Sequence, residues 1–276
     1  MVRRSTIRSP VALTYSRYLK VPELLSLQQA LSSPPHHDEE LFIVIHQVYE
    51  LWFKLVLHEV DSAAAELDKD RVFEATRLLR RVVEVQRLLV NQVRILETMR
   101  PQDFLGFRYH LNPASGFQSV QFRELEFALG MKDAAVLERL DCEPAERERL
   151  VRRLSAPSLG DALDALLVRR GFARPPGERA PTAASQPEEW RLEALVRVYE
   201  EPDAHPDLLA LCETLIEVDE CLALWRAHHV QMVERMIGSR RGTGGSAGVG
   251  YLQSTLPKRA FPDLWRVRTR IGQEPG

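Results

Sequence analysis

Residues 41–60, LFIVIHQVYELWFKLVLHEV, read as one long helix that is apolar nearly all the way round. Such a helix belongs in the middle of an all-helical protein rather than on its surface. Its polar exceptions, His46, Glu50, Lys54 and His58, recur every four residues on a row that drifts slowly around the axis. For Lys54 and His58 the expected setting is a partly solvated seam. His46 differs, because Phe42, Ile43, Ile45 and Tyr49 crowd it. Burial disfavours a charged imidazole, so His46 is expected neutral, either as a satisfied core residue or as a working one.

Working outward, Asp38 in the breaker-rich SSPPHHDEE is the expected N-cap of this helix, and His36 and His37 are expected as exposed loop residues. Upstream, LTYSRYLKVPELLSLQ carries Tyr15, Tyr18 and Leu19 ahead of a short helix opened by Pro22, behind a loose tail at residues 1–11. Downstream, a second long helix is expected over Arg71–Met99. A shorter one follows over Pro101–Leu111, with Phe104 and Arg108 four apart, and after the tight NPASG connection helix resumes over Phe117–Leu129. Two amphipathic helices separated by Pro157 fill Leu137–Arg170. Residues 173–188, polar and Pro-rich, read as an exposed loop inside one helical domain spanning 12–276.

The helix over Asp207–Ile237 carries a seam of Leu208, Leu211, Leu215, Val218, Leu222, Trp225, His229, Met232 and Met236, in steps of three and four. His229 takes a slot where Leu or Met is expected; His228 lies off the seam. A buried imidazole needs a polar partner or a metal, and the seam leaves both open. Two buried histidines without a third ligand cluster support zinc weakly. They suit a haem better, with one proximal His and another free on the far side. The Gly-rich GSRRGTGGSAGVG that follows lacks the Lys-Ser/Thr ending of a P-loop and reads as a connector or a lid. The chain closes with an amphipathic segment over Thr255–Ile271, docked through Phe261, Leu264, Trp265 and Val267.

With 45% hydrophobic residues and a formal net charge of −2, nothing argues for nucleic acid or a membrane surface as partner. Three cysteines, Cys142, Cys212 and Cys221, without paired spacing fit a reducing, cytoplasmic setting. The basic N-terminus has no signal-peptide run, and no uncharged stretch approaches the ~20 residues of a membrane span.

LTYSRYL, HHDEELFIVIHQVYELWFK, FLGFR, SGFQSVQFRELEF, WRAHHVQMVERMIGSRRGTGGSAG and FPDLWRVRT, in that order, resemble the tryptophan 2,3-dioxygenase family. The resemblance implies an all-α haem protein that assembles as a homotetramer. It implies haem b, active as Fe2+, with O2 as co-substrate, and cleavage of the indole C2–C3 bond of L-tryptophan to N-formylkynurenine. Residue by residue, His229 resembles the proximal iron ligand, His46 the distal His meeting the indole N–H, and Phe42 the aromatic that packs on the indole. Arg108 resembles the residue that binds the substrate carboxylate, as a planar guanidinium can. Thr243 resembles the contact to the substrate ammonium and carboxylate, which makes the Gly-rich loop a lid. Ser115 and Gly116, with Leu111 nearby, resemble the distal lining, and Tyr15 and Tyr18 residues donated to a neighbouring subunit. Phe104 stands where some members carry Tyr. Ile45 stands where related sequences carry a polar residue, and is expected to dry the distal side. Two other outcomes are compatible with the same residues: a haem monooxygenase turning a β-methyl tryptophan into an oxindole, and a non-catalytic haem sensor.

Overall fold

The computed structural model describes residues 12–172, 188–243 and 248–273, and every regular element among them is helical. The first are α1 (Tyr15–Leu19), α2 (Val21–Leu24), α3 (His37–Asp68), α4 (Val72–Leu96) and α5 (Pro101–Phe107). A second group follows: α6 (Val120–Leu129), α7 (Ala135–Arg139), α8 (Pro144–Ser155), α9 (Leu159–Arg169) and α10 (Glu189–Glu200). The last are α11 (Pro206–Ile237), α12 (Val249–Gln253) and α13 (Pro262–Arg266), with 3-10 turns at Arg108–Leu111, Gly116–Gln118 and Val267–Thr269. The expected 1–11 tail and residues 173–187 of the expected loop lie outside the described residues. So do residues 244–247 of the Gly-rich segment.

The framework is α4 packed between α3 and α11, with α6 and α9 against α3 and α8 against α6. The α3–α4 pairing is held by directed bonds as well as by apolar burial. Tyr49 donates to the Leu89 carbonyl at 2.8 Å, and Gln92 donates to the Ile45 carbonyl at 3.2 Å. Both satisfy a polar group inside an apolar contact, where an unpaired one would be costly. α10 has no counterpart in the helices expected from sequence. It is anchored by Arg191, whose guanidinium bonds Asp164 of α9 and Asp263 of α13 at 2.6–2.8 Å in a buried cluster.

α3 departs from expectation in three ways. It is buried on one side only, through Ile45, Tyr49, Phe53, Val56, Val60, Ala63 and Leu67, while Leu51 is 52% exposed and Val44 37%. By length and composition alone it could cross a membrane, but its buried side packs on α4, α6 and α9 as a core helix does. Its N-cap is His36, whose Nδ1 accepts from the Asp38 N–H at 3.2 Å and whose ring packs on Phe107, so His36 is not a free loop residue. His37, Lys54 and His58 are exposed as expected. Ile45 points into the α3–α4 core, 5% exposed, and is not part of the cavity described below. It therefore does not dry that cavity; it seals α3 onto α4.

Candidate functional site

α3 and α11 present their histidines to one cavity of about 270 Å³, room for far more than a single water. His46 and His229 both line it, and Phe42, Phe104, Arg108 and Thr243 extend the lining. Ser115 and Gly116 complete the wall beside His46, and a Cβ placed on Gly116 would meet nothing within 4 Å. Leu111 packs against the core instead of lining the cavity. Tyr15 and Tyr18 stand away from it, 77% and 71% exposed.

The chemistry of the two imidazoles follows from what they touch. His46 sits 2.7 Å by its Nδ1 from the Phe42 carbonyl one turn earlier, and a carbonyl can only accept. Burial holds the ring below its ordinary pKa, against the upward pull of the Phe42 bond and of Glu50. The ring is therefore neutral with its proton on Nδ1, which leaves Nε2 as a lone-pair acceptor without a partner among the described residues. Phe42 lies against it, ring centroids 4.0 Å apart, backed by Phe104 at 5.7 Å and Phe107 at 5.6 Å from Phe42. This is an apolar wall with one acceptor on it.

His229 has no hydrogen-bond partner among the described residues. Trp225, one turn earlier, stacks on it with centroids 5.1 Å apart and planes 7° from parallel. Burial, and secondarily His46, push its pKa down to about 4, so it is a neutral donor near pH 7. An unpartnered neutral imidazole facing a cavity is what a metal needs as its axial ligand. Among the described residues, no group of three or more His, Cys, Asp or Glu side chains is placed to hold a metal ion on its own. The donor set thus fits a metal that brings its other ligands with it, as haem iron does.

The remaining wall is charged, and the sequence pattern did not reveal it. Glu126 of α6 accepts from Arg123 at 2.6 Å and from Arg226 of α11 at 2.7 Å, forming a buried Arg–Glu–Arg triad with one net positive charge. Arg226 also donates to the Lys258 carbonyl, tying the chain beyond α12 to α11. Arg123 Nε is buried with no partner, a spare donor suited to an anionic group. Glu50 lines the same cavity instead of a solvated seam. Inverse pairing of this kind leaves no signal in a helical pattern, since Arg123, Glu124 and Glu126 read as an ordinary polar face.

At the mouth, the Arg108 guanidinium donates to the main-chain carbonyl of Arg241, and Thr243 Oγ1 donates to the Ala114 carbonyl at 2.6 Å. Residues 241–243, just after α11, are thereby held at the cavity. Gly238 (φ 57°) and Gly248 (φ 62°) both take left-handed backbone, and a Cβ on Gly248 would lie 2.6 Å from the Arg240 carbonyl oxygen. Only glycine allows that close approach.

The model of the family described as tryptophan 2,3-dioxygenase matches residues 4–168 and 189–271. A protein named tryptophan 2,3-dioxygenase from Nocardioides sp. is 51% identical over 264 residues, covering 94% of this chain and 95% of that protein. One from Xanthomonas campestris pv. campestris is 44% identical over 262 residues, covering 94% and 88%. One from Xanthomonas oryzae pv. oryzae has the same identity and coverage.

Proposed function

The chain belongs to the tryptophan 2,3-dioxygenase family, and from that premise we propose that it cleaves the indole C2–C3 bond of L-tryptophan with O2 to give N-formylkynurenine. The observation that carries this reading is the pair of neutral imidazoles on separate helices, facing one cavity with an aromatic wall beside His46 and a guanidinium at its mouth.

Haem b is the cofactor of this reading. His229 would take its iron, and Arg123, with an unpartnered Nε, would pair with a propionate. Bound as Fe2+, the haem supplies the binding and activation of O2. The chain's own residues do the rest. His46 Nε2 accepts the indole N–H, Phe42 packs on the ring, and Phe104 backs Phe42. Arg108 takes the substrate carboxylate in exchange for the Arg241 carbonyl, and Thr243 joins it at the ammonium and carboxylate. Fixing both ends of the zwitterion sets C2 and C3 at the reacting position, the largest contribution a positioning site can make. The aromatic wall keeps water out. His46 is an orienting acceptor here, with no proton transfer required of it.

We further infer a homotetramer in which Tyr15 and Tyr18 reach a neighbour's pocket. Their exposure, together with that of Leu13, Leu25 and the Leu51 side of α3, supports an apolar surface covered by other copies of the chain.

The test is mass spectrometry of the product made by haem-loaded, reduced protein from L-tryptophan under 18O2. Two labelled oxygens and kynurenine-type absorbance are expected. One oxygen, mainly on β-methyl tryptophan, would replace this reading with the oxindole-forming one; haem binding without any product would leave a sensor.

A further inference from the structure

Two carboxylates line the cavity among the described residues, and they are held in opposite ways. Glu126 is neutralised by two arginines. Glu50 has no cation against it. Its Oε1 accepts from Ser119 Oγ at 2.6 Å, its Oε2 from Gln121 Nε2 at 2.8 Å, and its main-chain carbonyl from the same Gln121 amide at 2.9 Å. Glu50 is half-buried, and among the described residues these directed donors stand where a counter-ion otherwise would.

Those donors are not scattered. Ser119 is the N-cap of α6 and accepts from the Phe122 N–H at 3.2 Å while donating to Glu50. The carboxylate is thus linked through one hydroxyl to the positive end of a ten-residue helix. Immediately upstream lies the 3-10 turn Gly116–Gln118, closed on itself by Ser115 Oγ accepting from the Phe117 N–H and by the Ser115 N–H donating to Gln118 Oε1. That turn supplies Ser115 and Gly116 to the cavity wall. One helical turn before Glu50, on the same helix, stands His46.

We propose that Glu50 is a positioning residue: by binding Ser119 and Gln121 together it fixes the Ser115–Gly116 wall against the helix that carries His46, and so sets the gap that a flat substrate ring enters. The second half of this statement rests on the reading of the cavity as the tryptophan site. Apolar packing brings the two elements together, and three hydrogen bonds from Ser119 and Gln121, two residues apart, add a directed constraint on their register.

The test uses Glu50→Ala, Glu50→Gln and Ser119→Ala in the full chain. In haem-free protein, amide exchange over residues 116–122 should accelerate at least tenfold in Glu50→Ala, with α4 unchanged. Glu50→Gln, which keeps one acceptor oxygen, and Ser119→Ala should fall between. In haem-loaded protein the KM for L-tryptophan should rise at least tenfold while haem stoichiometry is kept. The infrared stretch of carbon monoxide bound to the reduced haem should shift and broaden. Exchange and KM within twofold of the parent, with an unmoved stretch, would overturn the proposal. So would acceleration spread equally over α4, which marks a general loss of stability. If the parent protein itself binds no haem or leaves tryptophan intact, the functional reading fails, and the exchange experiment still decides whether Glu50 holds the wall.

Discussion

His229 and Arg108 carry the sharpest predictions at the scale of single residues. His229→Ala should remove the one imidazole that, among the described residues, faces the cavity without a hydrogen-bond partner, and the expected outcome is loss of the Soret band after haem reconstitution, with helicity by circular dichroism retained. Arg108→Ala should cost about 2–5 kcal/mol in kcat/KM for L-tryptophan where the bound substrate buries the carboxylate–guanidinium pair, and less where the pair stays at the exposed mouth. Arg108→Lys should recover little of it, because an ammonium cannot offer the two parallel donors of a guanidinium. The haem-free protein should also be acid-sensitive in a defined window. His46 and His229 both have pKa values lowered by burial, that of His229 to about 4, so the unfolded chain binds protons that the folded chain refuses. The share of stability that depends on these neutral imidazoles should therefore be lost as pH drops from about 6.5 toward about 4. Urea titrations at pH 7.5, 5.5 and 4.5 would measure this, and His229→Leu should flatten the slope. At this scale the sequence was legible where a residue broke a pattern. His229 stood in an apolar seam, and His46 stood among aromatics. Glu50 stood out as a polar exception on an apolar helix, but its partners Ser119 and Gln121 lie about seventy residues on, and Arg123 broke no pattern because the arginine that completes its cluster, Arg226, lies on another helix.

Among the elements, the long helices were legible because their periodicity is a direct image of one-sided burial. The extent of burial was not: a helix apolar all round looks the same whether the protein's own chain or a second copy covers it, and α3 leaves Leu51 to solvent. The last segment was legible as an apolar dock, and Phe261, Leu264 and Val267 are buried as expected, but the polar anchors that place it were not legible. Asp219 of α11 is the clearest case. It is 1% exposed and accepts from the Ala260 and Phe261 N–H groups and from Trp265 Nε1 at 2.9–3.3 Å. Asp219→Ala should leave three donors without an acceptor and cost about 3 kcal/mol or more in a denaturant titration, with Asp219→Asn milder. Because the preceding residues Tyr251, Leu252 and Thr255 line the cavity, the same variant should weaken haem retention.

For the whole molecule, the prediction concerns assembly. Sedimentation of the haem-loaded protein should give the mass of four chains. Replacing Tyr15 and Tyr18 together by Ser should shift it toward smaller species and lower activity per chain on dilution, although neither side chain touches the cavity of its own chain. A parent protein that sediments as one chain and is fully active would remove the intersubunit role.

The cavity draws one wall from α3, near the start of the chain, and the facing wall from α11 and the segment after it, near the end. During synthesis on the ribosome, α3 and α4 can pair early, through Tyr49 and Leu89, while the surface that α11 will cover is still bare. Until α11 is made, the face of α4 that it covers has no partner from this chain. A cavity shared in this way is complete only once α11 has been made, so on the proposed reading a cofactor would be captured late.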